Sequence, residues 1–310
     1  MSVVTEQTRQ PSSYARDLWR IHRLEYPFPI IYVCHVLWGA SLAVAEPADL
    51  LSAPVLITLV ANIIGIISQN PLNAALDIMG DTHTAGKESI AGATRRLSPA
   101  VGLTCAAVEM VTALGLSTWV AVWLGRPLIA VGVLLALLLH LAYNIEPIRL
   151  KRRSYANPAY FGATFAFLPC VSTYPAARGD ITLSAWLFFL GLGVLLFGRS
   201  LWWSIPDMIG DAVAGDRTPA VRHGARHALV VACVWTAVAL ALLGAGLWQY
   251  GAGWAVLGVL ACSAFLIDKF GLLRHISDQN LPHESAMRKR SLSLVMGADI
   301  LLCLIPLLAG

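Results

Sequence analysis

Apolar residues along this chain gather into blocks separated by short polar runs. The blocks fall at about 27–45, 54–76, 98–123, 127–145, 157–175, 182–205, 227–249, 251–267 and 291–309. Several of them reach the roughly 20 residues that an α-helix needs to cross a bilayer. The pattern predicts an all-α, polytopic membrane protein of nine transmembrane helices, forming a single domain over residues 1–310. The stretch before the first block is polar up to about Glu25 and reads as a cytoplasmic N-terminal tail (1–25), not as a cleavable leader. The seventh and eighth blocks meet at Gly251 and should form a tight antiparallel pair.

Composition supports that reading. Hydrophobic residues make up 57% of the chain and charged residues 13%, about half the charge of an ordinary water-soluble domain. The net charge of +4 includes no long basic run, so no nucleic acid is expected as a partner. The distribution of charge is more informative than its sum. With the N-terminus inside, 20 of the 22 basic residues fall on the cytoplasmic side, from Arg9 in the tail to Arg288, Lys289 and Arg290 before the last block. Arg199, at the end of the sixth block, is counted among them, and Arg126 and Arg178 alone fall outside. Such asymmetry sets a cytoplasmic N-terminus and an external C-terminus. The six cysteines lie singly in six different blocks, with no CxxC pair, and read as small core residues.

Two acidic constellations sit where blocks end on the cytoplasmic side. Asn73, Asp77 and Asp81 follow at i, i+4 and i+8 at the end of the second block, and Asp207 and Asp211 at i, i+4 at the end of the sixth. On a continuous helix each set would share a face. The second and sixth blocks are four spans apart and run the same way, hinting at two four-helix halves plus a ninth helix. Four carboxylates facing a common cavity in a membrane need compensating charge. Mg²⁺ provides it, since it takes oxygen ligands and commonly bridges carboxylates to phosphates. The expected ligand is therefore a diphosphate. Lys87, Arg149, Lys151, Arg217 and Arg222 are available on the same side to bind it. Taken singly, each could equally be a topology charge or a headgroup contact.

Three stretches carry a family resemblance. Asn73…Asp77…Asp81 resembles the NDxxDxxxD motif of the UbiA superfamily of membrane prenyltransferases. Asp207-Met-Ile-Gly-Asp211 through Thr218 resembles its DxxGDxxxGxxT motif, and Tyr143 to Arg152 its YxxPPxRLKR stretch. The motifs come in the family's order, so the resemblance spans the whole chain. It implies nine helices around a central cavity with cytoplasmic cap loops, a prenyl diphosphate donor, Mg²⁺ and a lipophilic acceptor. It also implies that Asn73, Asp77, Asp81, Asp207 and Asp211 hold Mg²⁺–diphosphate, that Arg149 and Lys151 stabilise the leaving group, and that Tyr143 lines the site. Three positions depart from the pattern: Ala74 replaces the first motif's second residue, Glu146 replaces the first proline of the pair, and Asp216 falls one place beyond the motif glycine.

The expected reaction is transfer of an isoprenoid chain to an aromatic or other lipophilic acceptor within the membrane. A terpene cyclase of the same superfamily would use the same aspartates without an acceptor. A transporter would instead use Glu109 and Asp299, ionisable residues inside spans, as a proton path. His35 and His140 are expected to pack structurally. Trp202 and Trp203 are candidates for cation stabilisation or interfacial anchoring.

Overall fold

The computed structural model describes residues 13–83, 87–281 and 284–310. Arg9 lies outside the described residues, as do the side chains of Arg288, Lys289 and Arg290. Every described element is helical or a turn. In chain order the α-helices are α1 (Tyr14–Ile21), α2 (Phe28–Ala43), α3 (Ala53–Leu76), α4 (Ile78–His83), α5 (Glu88–Leu97), α6 (Pro99–Leu124), α7 (Leu128–Asn144), α8 (Ala156–Gly162), α9 (Leu168–Ala177), α10 (Leu183–Trp203), α11 (Met208–Val213), α12 (Pro219–His223), α13 (Ala225–Leu247), α14 (Ala252–Leu272) and α15 (Glu284–Ala309).

Six described helical runs are long and apolar enough to cross a membrane: α3, α6, α10, α13 with the 3₁₀ turn that continues it to Tyr250, α14, and α15 from Ser291. α2 and α7 are apolar but shorter. The fifth apolar block is α8 and α9 joined by a π-helical turn, Ala163–Phe167. Pro169 lies two residues past that turn; its missing N–H and bulky ring disrupt the regular ladder, and the extra residue of a π-turn absorbs the mismatch. Large apolar side chains such as Val111, Val122, Leu183 and Leu260 face outward, as they do where the surrounding solvent is hydrocarbon.

The helices pack through small residues. α10 and α13 approach so closely that a Cβ on Gly191 would stand 2.9 Å from the Leu243 amide nitrogen, and one on Gly246 2.7 Å from that of Phe188. Glycine permits the contact that membrane helices use in place of a hydrophobic driving force. α3 packs extensively on α6 in the same manner of sequential pairing. Gly251, at φ 100°, turns the chain between α13 and α14, which pack on each other as the sequence predicts. All six cysteines are unpaired thiols, five of them buried.

The described parts of the tail and loops form more helix than their polarity suggests. Ser13 caps α1, accepting from the Arg16 amide at 3.3 Å. Arg96 on α5 donates to both carboxylate oxygens of Asp17 on α1, at 2.8 and 2.7 Å. α1 packs on α5, α5 on α4, α4 on α11 and α11 on α12, which makes one continuous cap over one end of the bundle. Arg126 reaches the Pro175 carbonyl at 2.6 Å, near Arg178, so the two basic residues set apart by the charge pattern share a neighbourhood. Arg199 departs from its expected place. It is not a loop charge but a buried residue of α10, because Asp299 on α15 partners it inside the bundle.

Candidate functional site

α3 ends at Leu76, and Asp77 occupies its C-cap at φ −122°. α4 restarts at Ile78 and carries Asp81. The continuous face expected for Asn73, Asp77 and Asp81 is thus broken at Asp77, yet all three line the same cavity. The sixth block behaves likewise. α10 stops at Trp203, Pro206 interrupts the chain, and Asp207 and Asp211 belong to the short α11. Asp207 stands at the N-cap of α11 but makes no capping hydrogen bond there. Each acidic set therefore straddles a helix break, with Asp77 and Asp207 at the break and Asp81 and Asp211 on the short helix beyond it, and both open onto one cavity of about 300 Å³.

Lysines hold the two sets. Lys151 hydrogen-bonds Asp77 and lies 3.4 Å from Asp216. Lys87 bonds Asp207 at 3.3 Å. Each lysine also acts electrostatically on the other set, Lys87 on Asp81 and Lys151 on Asp211. Burial works against the Lys151 ammonium, but Asp77 and Asp216 beside it more than compensate and raise its pKa. Burial pushes the Asp81 carboxyl up, opposed by Arg23 and Lys87. Burial, then the adjacent Asp207, push Asp211 up to about 7.

The remaining predicted residues are placed unequally. Asn73 donates to Asn144 at 3.0 Å, and Tyr143 lines the cavity stacked on Tyr160, with ring centroids 4.0 Å apart. Arg149 approaches Asp77 to 3.8 Å from outside the cavity and bonds Glu146 at 3.2 Å. Arg217 and Arg222 are exposed and do not line the cavity. Glu146 is also exposed, bridging Arg149 and Arg152, so the departure from the family's proline pair points away from the acidic site. Asp216 is buried, and holds Arg152 at 3.4 Å in addition to Lys151.

Sequence reasoning missed Arg23. It follows α1 at φ 51°, lines the cavity and donates to Asn73 Oδ1 at 3.3 Å. Its neighbour His22 is pinned twice: Asn70 donates to the His22 carbonyl at 2.9 Å, and the His22 ring bonds Glu109 at 2.8 Å. Glu109 thus ties α6 to the turn that delivers Arg23. The available signal was the cluster Gln69, Asn70 and Asn73 inside an apolar block, which needs polar partners from a neighbouring segment. Deeper walls of the cavity are aromatic, including Phe161, Phe165, Trp202 and Phe265. His140 is buried against the Tyr160 hydroxyl at 2.7 Å.

Among the described residues no three His, Cys, Asp or Glu side chains converge as a ready-made metal cage. Mg²⁺ does not require one, since it commonly binds through one or two carboxylates plus waters and phosphate oxygens. The donors here are all oxygen, and Asp81 Oδ2 is buried without a hydrogen-bond partner among the described residues. The side chains present fit such an ion.

The profile of the UbiA prenyltransferase family matches residues 32–288. Among curated proteins none matches the chain in sequence. Among solved structures, a UbiA homolog from Archaeoglobus fulgidus bound to DMAPP and Mg²⁺ is similar at TM-score 0.72 and 13% identity, over 96% of this chain and 99% of that one. The same homolog bound to GPP and Mg²⁺ gives 0.73 and 14%, over 94% and 99%. A digeranylgeranylglyceryl phosphate synthase gives 0.64 and 14%, over 95% and 99%.

Proposed function

The chain belongs to the UbiA prenyltransferase family, and on that premise we propose that it transfers an isoprenoid chain from a prenyl diphosphate to a lipophilic, electron-rich acceptor inside the membrane. The observation that carries this reading is a single cavity with two acidic sets and two lysines at its mouth and aromatic walls within. The Archaeoglobus fulgidus homolog, of the same fold, was solved with DMAPP or GPP together with Mg²⁺. In this chain Asn73, Asp77, Asp81, Asp207 and Asp211 would hold Mg²⁺, which when bound supplies positive charge to the leaving diphosphate.

The chain's own residues do the rest. Lys151 and Lys87 exchange their carboxylate partners for phosphate oxygens and take up charge as the allylic C–O bond breaks. Arg23 offers a further guanidinium from the α1–α2 turn. Arg149 acts through Asp77, which it supports from behind. The rings of Tyr143, Phe161 and Phe165 flank the isoprenoid, exclude water and present their faces to developing positive charge. We further propose nine membrane crossings, with the N-terminus and the cap cytoplasmic and the C-terminus external.

The test is turnover of geranylgeranyl diphosphate by the detergent-purified protein with Mg²⁺ and a lipid extract. Prenylated lipid is expected, and its loss in Asp77→Ala and Asp207→Ala. Retention of full activity by both folded variants would refute the proposal. The aromatic lining is also what a cyclase of this superfamily needs. Hydrocarbon or terpene alcohol formed from the diphosphate alone would establish that reading instead.

A further inference from the structure

A second polar group lies deeper in the same cavity, contributed by three helices. Arg199 on α10 donates through Nη1 to Asp299 Oδ1 on α15 at 2.7 Å. His35 on α2 places Nε2 4.0 Å from Asp299 Oδ2. All three are buried, at 7%, 0% and 5% exposure. Trp38 donates to the Asp299 carbonyl at 3.2 Å and fixes α15 in register. Neither the diphosphate site nor its lysines use this group.

Its hydrogen bonding is incomplete among the described residues. Arg199 Nε and Nη2, His35 Nδ1 and Trp202 Nε1 have no partner among the described residues. Arg199, His35 and Trp202 all line the cavity. A guanidinium has five N–H donors, and leaving buried donors unmade is costly. A pair serving packing alone would be neutral or better replaced by apolar side chains. Spare buried donors on residues that also line the cavity are what a ligand oxygen requires.

Charge narrows the class of ligand. Arg199 and Asp299 cancel, and Lys269, which stands 3.8 Å from the Trp202 ring centroid, is itself bonded to Asp268 at 2.6 Å. A carboxylate here would add an uncompensated charge to a low-dielectric interior. A neutral oxygen would accept from the spare donors without that cost. α10 rises about 6 Å from Arg199 to Trp203 at 1.5 Å per residue, and Asp207 lies beyond. A ligand anchored at Arg199 thus extends its far end toward the bond that breaks. We propose that Arg199, supported by Asp299, anchors the acceptor through a neutral carbonyl or hydroxyl oxygen, so that the enzyme selects uncharged oxygenated lipophiles over carboxylated ones. This rests on the transfer reading above.

The experiment is binding of 2-naphthol and 2-naphthoate to the purified full chain loaded with Mg²⁺ and the unreactive geranylgeranyl thiodiphosphate. Wild type should bind 2-naphthol at least tenfold more tightly than 2-naphthoate. The double variant Arg199→Met/Asp299→Leu should weaken 2-naphthol at least tenfold and leave thiodiphosphate affinity within twofold. Arg199→Lys, which keeps the charge pair but not the spare guanidinium donors, should also weaken 2-naphthol and decides the matter if the double variant does not fold. Unchanged 2-naphthol affinity in either folded variant, no 2-naphthol binding by wild type, or a preference for 2-naphthoate would overturn the anchor alone. Conversion of geranylgeranyl diphosphate without any acceptor would overturn the transfer reading, and the anchor with it.

Discussion

The two acidic poles of the cavity are built from the same device and set differently. Each straddles a helix break, ahead of α4 and ahead of α11. At the first, Asp77 is gripped by Lys151 and flanked by Arg149, while Asp81 keeps one oxygen without a hydrogen-bond partner among the described residues. At the second, Asp207 has Lys87 as its one ion-pair partner among the described residues, and Asp211 is pushed up to about 7 by burial and by Asp207. The first pole is thus rich in positive charge and the second poor in it. Similar spacing in sequence does not give equal electrostatics, because the cations come from other segments: Lys151, after α7, bonds Asp77 and lies beside Asp216, while Lys87, before α5, bonds Asp207.

The largest effect should come from removing either pole. Asp77→Ala and Asp207→Ala should each lower geranylgeranyl diphosphate turnover by more than about a hundredfold, measured as radiolabelled product. Loss at only one pole would break the two-pole description. Next, the lysines should rank by their partners. Lys151→Met should remove about 2 to 3 kcal/mol of transition-state stabilisation and Lys87→Met about 1, read from kcat/KM. Equal effects would mean that the asymmetry of the two poles is without consequence for turnover.

Ala74 sharpens the comparison further. The family's motif carries a carboxylate there, but in this chain Ala74 is 1% exposed and packs with Ile21, Ala93 and Leu97, under α1 and α5. Ala74→Asp should therefore bury an unpaired acid and lower stability by about 2 to 3 kcal/mol, seen as a lower thermal midpoint in detergent. A gain in Mg²⁺ affinity without that loss would show that the position faces the first pole after all. The smallest effect belongs to Glu146→Gln. The Glu146 side chain is 58% exposed, and its two arginine pairs lie outside the cavity. Exposed pairs contribute about 0 to 1 kcal/mol, so turnover should stay within twofold.

Much of this protein could be read from its residues in order. The apolar blocks map onto helices or helical runs within a few residues, because burial in hydrocarbon demands long apolar segments whatever their neighbours. The aspartate motifs lie in one cavity, as their shared end of the chain's spans implied. Other features escaped. Arg23 and Arg199 both looked like topology charges, since a basic residue near the end of an apolar block has that use by default. α1, α4, α5, α11 and α12 lie in tail and loops whose polarity hid short helices stabilised by one another, such as α1 on α5 through Asp17 and Arg96.

The sequence by itself determined the class of molecule, its long apolar helices and the acidic and basic residue types of the candidate site, because these follow from local composition and spacing. Only the tertiary structure decided which cation meets which carboxylate, that Glu146 turns outward while Asp216 turns in, and that Arg199 meets Asp299 across a hundred residues of chain. Those pairings depend on where separate helices end and how closely their small residues let them approach, and no single segment carries that information.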